Sequence, residues 1–373
     1  MILTASLFFA AIFLSYANGA NDNFKGVATL FSSRTAGYKT SLYWATATTV
    51  LGSLFSVVLA SRLIEAFSGR GLVTPELAGS PEFILTVALG AGATVILATI
   101  FGFPISTTHS IVGALVGSGL SANWQTLNLS ALGGTFLAPL AFSPLIAAAL
   151  AAVVYLIFKY ARLKLGVTKE TCVCVGDSLQ LVPISAEAPQ LQMGKMNSIQ
   201  ATIAIEQDCI ERYSGSYFGI NAQKALDTLH FLSAGLVCFA RALNDTPKIM
   251  GLLLVIPVLD IHYGMIAISM AMACGGLFSA RKVAYVMSRD ITTMNHGQGF
   301  SANIVTGALV ILASKFGLPV STTHVAVGSL FGIGIVNSQA NYRVIGKIVA
   351  SWALTLPIAA IIAATSYLAL FSK

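Results

Sequence analysis

Two Asn-Asp pairs, Asn21-Asp22 and Asn244-Asp245, lie inside apolar stretches of a chain that carries few charges. A carboxylate at the middle of a bilayer costs about 2.5–3.5 kcal/mol on insertion scales, so it is kept there for a partner or an ion. Each pair is followed by another side-chain oxygen, on Asn23 in the first copy and Thr246 in the second. Amide, hydroxyl and carboxylate oxygens, joined by carbonyls that a helix break would free, suit a hard cation, and half-helix C-termini favour one electrostatically. Asn21, Asp22, Asn23, Asn244, Asp245 and Thr246 are therefore expected to ligate sodium ions, with each motif breaking a helix near the bilayer midplane.

A second element also recurs: Pro104-Ile-Ser-Thr-Thr-His109 matches Pro319-Val-Ser-Thr-Thr-His324. Ser or Thr at a helix start is an ordinary cap, and a Pro just before it stops the preceding helix. A helix N-terminus with free N–H groups and three hydroxyls is also an anion site. Ser106, Thr107, Thr108, Ser321, Thr322 and Thr323 are thus expected to hold a tetrahedral oxyanion between two tips. His109 and His324 end the two tips. They would donate to the anion, carry a proton (imidazole titrates near pH 6.5) or lock the loops. No Arg or Lys falls inside the tips, so the anion's counter-charge is expected from cations bound at Asp22 and Asp245, which predicts obligate coupling of anion to cation. Lys25, Arg241 and Lys248, beside the Asp motifs, read as unmatched charges that neutralise an Asp or line an access path. Cys172 and Cys174 form a C-x-C that reads as reduced thiols in a polar loop and, more weakly, as metal ligands.

The elements that must position these groups follow from composition and repetition. The chain has 373 residues, 56% hydrophobic and 9% charged, with a mean hydropathy of +0.81. Soluble domains carry about 25% charged residues. A single core cannot hide this much apolar surface, which excludes a soluble enzyme, a nucleic-acid-binding domain and a disordered chain. The 33 Gly fit closely packed membrane helices. The net charge of +7 sits mostly at the ends of apolar runs, as membrane topology requires. Five Cys, an odd number, argue against a disulfide framework. No basic segment precedes the first apolar run, so that run reads as a membrane helix and not as a cleaved signal.

An internal repeat organises the whole. Asn21-Asp22 and Gly52-Ser-Leu-Phe-Ser56 recur at Asn244-Asp245 and Gly275-Gly-Leu-Phe-Ser279, both at an offset of 223. The Ser-Thr-Thr-His elements recur at an offset of 215, within a match running from Gly92 to Gly119 against Gly307 to Gly334. Three regions follow: a first membrane repeat over 1–158, a polar segment over 159–224 and a second membrane repeat over 225–373. The basic clusters Arg34/Lys39, Lys159/Arg162/Lys164, Arg281/Lys282/Arg289 and Arg343/Lys347 all fall inside if Phe83–Leu120 and Phe300–Val336 are hairpins that enter from opposite faces. Both termini then lie outside and 159–224 is cytoplasmic. The expected fold is an all-α polytopic membrane protein, an inverted-topology repeat with broken helices and two re-entrant helical hairpins.

At Gly19-Ala-Asn-Asp22, its degenerate copy Ala242-Leu-Asn-Asp245 and the Pro-x-Ser-Thr-Thr-His tips, the sequence resembles the inorganic phosphate transporter family (PiT). The resemblance covers both halves and leaves 159–224 unaligned. It implies ion-coupled uptake of phosphate, and the expected function is import of inorganic phosphate coupled to sodium, across the plasma membrane, by alternating access. The Gly-Ala-Asn-Asp opening is closer to the sodium-coupled branch than to the proton-coupled one. Asn23-Phe-Lys25 and Arg241-Ala depart from the family pattern. A sulfate permease and a proton-coupled phosphate symporter are the rivals of the same class. A passive anion channel would not need buried carboxylates, which repel anions. An intramembrane Ser-His enzyme would need two complete sites on opposed halves and lacks a nucleophile elbow. The expected partners are phosphate, sodium and the lipid bilayer. The long helices Ala131–Phe158 and Val344–Phe371 are candidates for scaffold or homodimer contacts.

Overall fold

The structure, a computed structural model, describes residues 2–183, 191–212, 217–289 and 294–371. Two compact units form, one from residues 1–155 and 230–373, the other from 156–229. Among the described residues, eight helices are long and apolar enough to cross a membrane. The protein is a multi-pass helical membrane protein, with large apolar side chains such as Phe142, Leu145 and Ile361 on its outside.

The two hairpins are built by the same local chemistry. Ser80 caps the first arm, Pro81–Phe101, and Pro81 sits where its missing N–H costs nothing. Gly102 ends that arm at φ +80°, and Gly317 ends the matching arm, His296–Lys315, at φ +72°. Both occupy the left-handed region that a side chain disfavours, and they are 215 residues apart. Ser106 then caps the second arm, Thr107–Asn123, by accepting from the His109 N–H at 3.2 Å. Ser321 caps Thr322–Val336 by accepting from the His324 N–H at 3.3 Å.

Each hairpin packs through glycines on a long helix of the other half. A Cβ at Gly113 or Gly117 would collide with the carbonyl oxygens of Leu356 and Ala360. At Gly328 and Gly332 it would collide with those of Pro144 and Ala148. The same exchange of halves recurs elsewhere: Gly52 abuts the Phe239 carbonyl, and Gly275 abuts that of Tyr16. Each of these contacts of one repeat on the other thus has a twin with the roles swapped. Without hydrophobic drive between helices in lipid, such backbone approach supplies the packing energy. Gly117→Ala is expected to destabilise the protein by about 1–3 kcal/mol, because a backbone carbonyl must move. Gly346→Ala, with nothing within 4 Å, should be neutral or stabilising; thermal unfolding in detergent compares the two.

One expectation about the helices needs correction. The first Asn-Asp motif does break its helix: Ile2–Asp22 gives way to a 3-10 turn at Lys25–Val27 and a short helix at Ala28–Ser32. The second does not. Ala222–Leu253 runs unbroken through Asn244-Asp245 with Pro247 inside it, as membrane helices allow when neighbours take up the freed carbonyl. Pro81–Phe101 and His296–Lys315, the first arms of the two hairpins, are each long enough to cross.

The polar segment holds a three-stranded antiparallel sheet, with Thr171–Pro183 central between Leu191–Ile205 and Tyr217–Asn221. Residues 184–190 and 213–216 of this segment lie outside the described residues. Strand geometry puts Cys172 and Cys174 on one face. Cys174 is disulfide-bonded to Cys209 from the short helix Glu206–Arg212, with the Cys172 sulfur beside them. The expectation of a reduced C-x-C pair is therefore corrected.

Candidate functional site

The Asn-Asp motifs and the hairpin tips meet at one buried centre of the membrane unit. The tips touch directly. The Thr108 hydroxyl donates to the Val320 carbonyl at 3.3 Å, and the Thr323 hydroxyl donates to the Ile105 carbonyl at 3.1 Å. Ile105 and Val320 are repeat partners, as are Thr108 and Thr323, each pair 215 apart. The two tips clasp each other through one bond and its twin.

Two ammonium groups reach into this clasp. Lys25 Nζ donates to Asp22 Oδ1 at 2.5 Å, to the Ile105 carbonyl at 2.6 Å and to Thr323 Oγ1 at 2.7 Å. Lys248 Nζ donates to the Val320 carbonyl at 2.7 Å, to Thr108 Oγ1 at 2.6 Å and to Asp245 Oδ1 at 3.5 Å. Each bonds its own Asp, its own tip's carbonyl and the opposite tip's threonine. Three acceptors match the three N–H groups of an ammonium. Lys25 and Lys248 are 223 residues apart, the offset of the Asp motifs, so they are not unmatched charges. The expectation that no basic group enters the tips is overturned: the lysines come from the neighbouring motif, one turn past each Asp.

The carboxylates are joined by a residue that the motif spacing alone does not single out. Asn18 Nδ2 lies 3.0 Å from Asp22 Oδ2, 3.1 Å from Asp245 Oδ2 and 2.9 Å from Thr107 Oγ1. Its carbonyl oxygen accepts from Arg241 Nη1 at 3.0 Å, and Arg241 Nη2 donates to Thr49 Oγ1 at 2.7 Å. Asn18 and Arg241 also stand 223 apart. Running that offset over every polar residue, rather than the motif alone, is the signal that finds both pairs.

The remaining expected sodium ligands face other duties. Asn21 pins the first hairpin, donating to Thr99 Oγ1 at 2.9 Å and the Phe103 carbonyl at 3.0 Å, and accepting from the Ile105 N–H at 3.2 Å. Asn244 does the same for the second, on Val320 and Thr322, while Ser314 donates to its oxygen at 3.2 Å. Asn23 bonds Thr46 and Thr49, each at 3.0 Å, and Thr246 donates to Ser53 at 2.8 Å. Asp22 also accepts from Thr107 at 3.1 Å. Of the six, the two carboxylates are held by the lysines, and Asn244 also reaches the clasp at the Val320 carbonyl.

His109 and His324 sit side by side behind the tips, ring centroids 4.5 Å apart. The His324 Nδ1–H donates to the Leu140 carbonyl at 3.2 Å, and its ring stacks on Trp352. That geometry suits loop locking for His324.

Asp22, Lys25, Arg241, Asp245 and Lys248 are the Asp, Lys and Arg side chains buried among the described residues, none more than 4% exposed. Three cations against two carboxylates leave one net positive charge among the hydroxyls and carbonyls of the two tips, a buried charge that calls for a counter-ion.

The model of the phosphate transporter family matches residues 18–363. A protein of Rhizobium meliloti (strain 1021) named "Probable low-affinity inorganic phosphate transporter" is 26% identical over 384 residues, 98% of this chain and 96% of that one. A protein of Thermococcus kodakarensis named as a phosphate permease is 25% identical over 393 residues, 94% of this chain and 93% of that one. A solved structure named "The sodium-dependent phosphate transporter" superposes with a TM-score of 0.73 at 19% identity, covering 99% of both chains.

Proposed function

Because the chain belongs to the phosphate transporter family, we propose that it carries inorganic phosphate across the plasma membrane by alternating access, with the anion held where the two Ser-Thr-Thr tips meet. The single observation that carries this reading is the clasp itself: two helix N-termini, one from each repeat, closing on the same two ammonium groups. Ser106, Thr107, Thr108, Ser321, Thr322 and Thr323 line it, and the hairpins that bear them enter from opposite faces. In the closed arrangement the tips' bonds run across the repeats. Opening toward one side would break them in favour of phosphate oxygens. The scaffold against which the hairpins move is the pair of long helices Ala138–Lys164 and Tyr342–Phe371, whose outer faces meet lipid or a second copy. The basic clusters favour both termini outside and 159–224 in the cytoplasm, a compartment that would keep the Cys174–Cys209 disulfide reduced.

The clasp favours phosphate over sulfate. Its lysines donate to any oxyanion, but Asp22, Asp245 and the carbonyls of Ile105 and Val320 only accept. Phosphate has P–OH groups to give them, and sulfate at neutral pH has none. A site built around a substrate hydroxyl rejects the analogue lacking it by factors of about 10⁴–10⁵. Radiolabelled phosphate exchange in vesicles holding the purified protein should therefore survive about a 100-fold excess of sulfate. Equal competition by sulfate would sink the phosphate assignment.

Sodium as the driving ion is supported by the solved relative, which is named for its sodium dependence. A specific observation favours a second form of the drive: each carboxylate already has a cation on it, covalently part of the chain.

A further inference from the structure

We propose that Lys25 and Lys248 are tethered cations that take the place of co-transported sodium, so that this protein binds and exchanges phosphate with no metal ion in the site. The proposal rests on the phosphate reading above and fixes what neutralises the anion.

Four observations carry it. First, the ammonium groups lie where the oxygens converge. Lys25 Nζ touches a carboxylate, a carbonyl and a hydroxyl within 2.7 Å, the oxygen donors a hard monovalent cation would collect. Lys248 repeats the set with a longer Asp contact. Second, the substitution is symmetric. One stray lysine would be a local accident, but two at the same offset, with twin partners, belong to the design of the site. Third, the other oxygens offered by the motifs are spent. The amide oxygens of Asn21, Asn23 and Asn244 accept from the Ile105 N–H, Thr49 and Ser314, and the Thr246 hydroxyl donates to Ser53, so a sodium ion at either Asp would have to displace an ammonium and compete for these oxygens. Fourth, the charges balance without metal. The buried cluster carries one net positive charge, and the singly charged dihydrogen form of phosphate brings it to zero. Adding sodium beside it would leave a charge buried and uncompensated.

The lysines also explain how the clasp can close empty. In the phosphate-free arrangement each ammonium spends its hydrogens on a carbonyl and a threonine of the tips. On phosphate binding, the bonds to Ile105 and Val320 pass to phosphate oxygens, while those to Asp22 and Asp245 hold each ammonium in place.

The test is exchange of radiolabelled inorganic phosphate into liposomes that contain the full-length protein and unlabelled phosphate, with sodium or choline as the sole cation on both sides and no ion gradient. Equal exchange in sodium and in choline is the expected result. Lys25→Gln and Lys248→Gln are each expected to lower exchange in choline by about 100-fold, with sodium restoring part of it and Lys→Arg restoring it in choline. Exchange by the unaltered protein that requires sodium overturns the tethered-cation proposal and leaves the phosphate reading standing. So do Gln variants that exchange at the original rate in choline. No exchange in either cation, from protein that elutes as a folded species, overturns the phosphate reading itself. If the Gln variants do not fold, the sodium-against-choline comparison on the unaltered chain decides alone.

Discussion

Asp22→Asn is expected to reduce phosphate exchange by about 100-fold or more and to destabilise the fold by about 3–5 kcal/mol, the cost of leaving one partner of a buried ion pair alone. Three donors converge on this carboxylate: Lys25 on Oδ1, and Asn18 and Thr107 on Oδ2. An amide has one oxygen. Whichever way it turns, its NH2 faces either an ammonium or two other donors, at bond distances of 2.5–3.1 Å. The Lys25 side chain, 1% exposed, is then left with no carboxylate on its ammonium. Adding Lys25→Gln should recover much of the stability, because the orphaned charge goes with it, but none of the exchange. A double-mutant cycle on thermal unfolding in detergent reads the coupling directly. Additive losses would show that the pair does not act as a unit. Asp245→Asn should cost less, since Lys248 stands 3.5 Å away and is held more closely by Val320 and Thr108.

What was legible in the sequence divides along a physical line. Features that repeat by residue type could be read: the two Ser-Thr-Thr-His caps, the paired Asn-Asp motifs and the helical class of the two membrane repeats. The caps are set by local backbone chemistry, so identical letters give identical structure. Asn18-Arg241 and Lys25-Lys248 were harder for opposite reasons. Asn and Arg do not look alike, yet they are repeat partners that bond to each other across the pseudo-symmetry. The lysines do look alike, but their ammoniums act about one side chain's length from their own backbone, inside tips that hold no basic residue. The second Asn-Asp motif misled in a third way. Its Asp implied a break, but Ala222–Leu253 runs on through it with Pro247 accommodated inside the helix. The C-x-C pair gave no sign of Cys209, 35 residues from Cys174, because strand pairing decides which sulfurs meet.

Arg241→Met should be as damaging as any change at the lysines, although Arg241 touches neither tip. Arginine offers only donors, so the atom of Asn18 that faces it must be the oxygen. That fixes the Asn18 NH2 toward Asp22 Oδ2 and Asp245 Oδ2, at 3.0 and 3.1 Å. Two carboxylate oxygens so close to one nitrogen repel each other, and the shared amide offsets that repulsion. Without Arg241 the amide is free to turn, and its oxygen would then face two carboxylates. The cluster also drops from one net positive charge to none, so bound phosphate would bring a buried negative charge. Exchange should fall by about 100-fold or more, the range for truncating a buried, hydrogen-bonded charge. Arg241→Lys keeps the charge but not the fork that holds Asn18 and Thr49 together. It should therefore recover part of the exchange and less of the stability. A rise in the phosphate concentration for half-maximal exchange, larger for Met than for Lys, is the signature of lost charge. An equal rise in both would mean that Arg241 serves through the orientation of Asn18 alone. An Arg241→Met protein with unaltered phosphate affinity would remove it from the site's electrostatics.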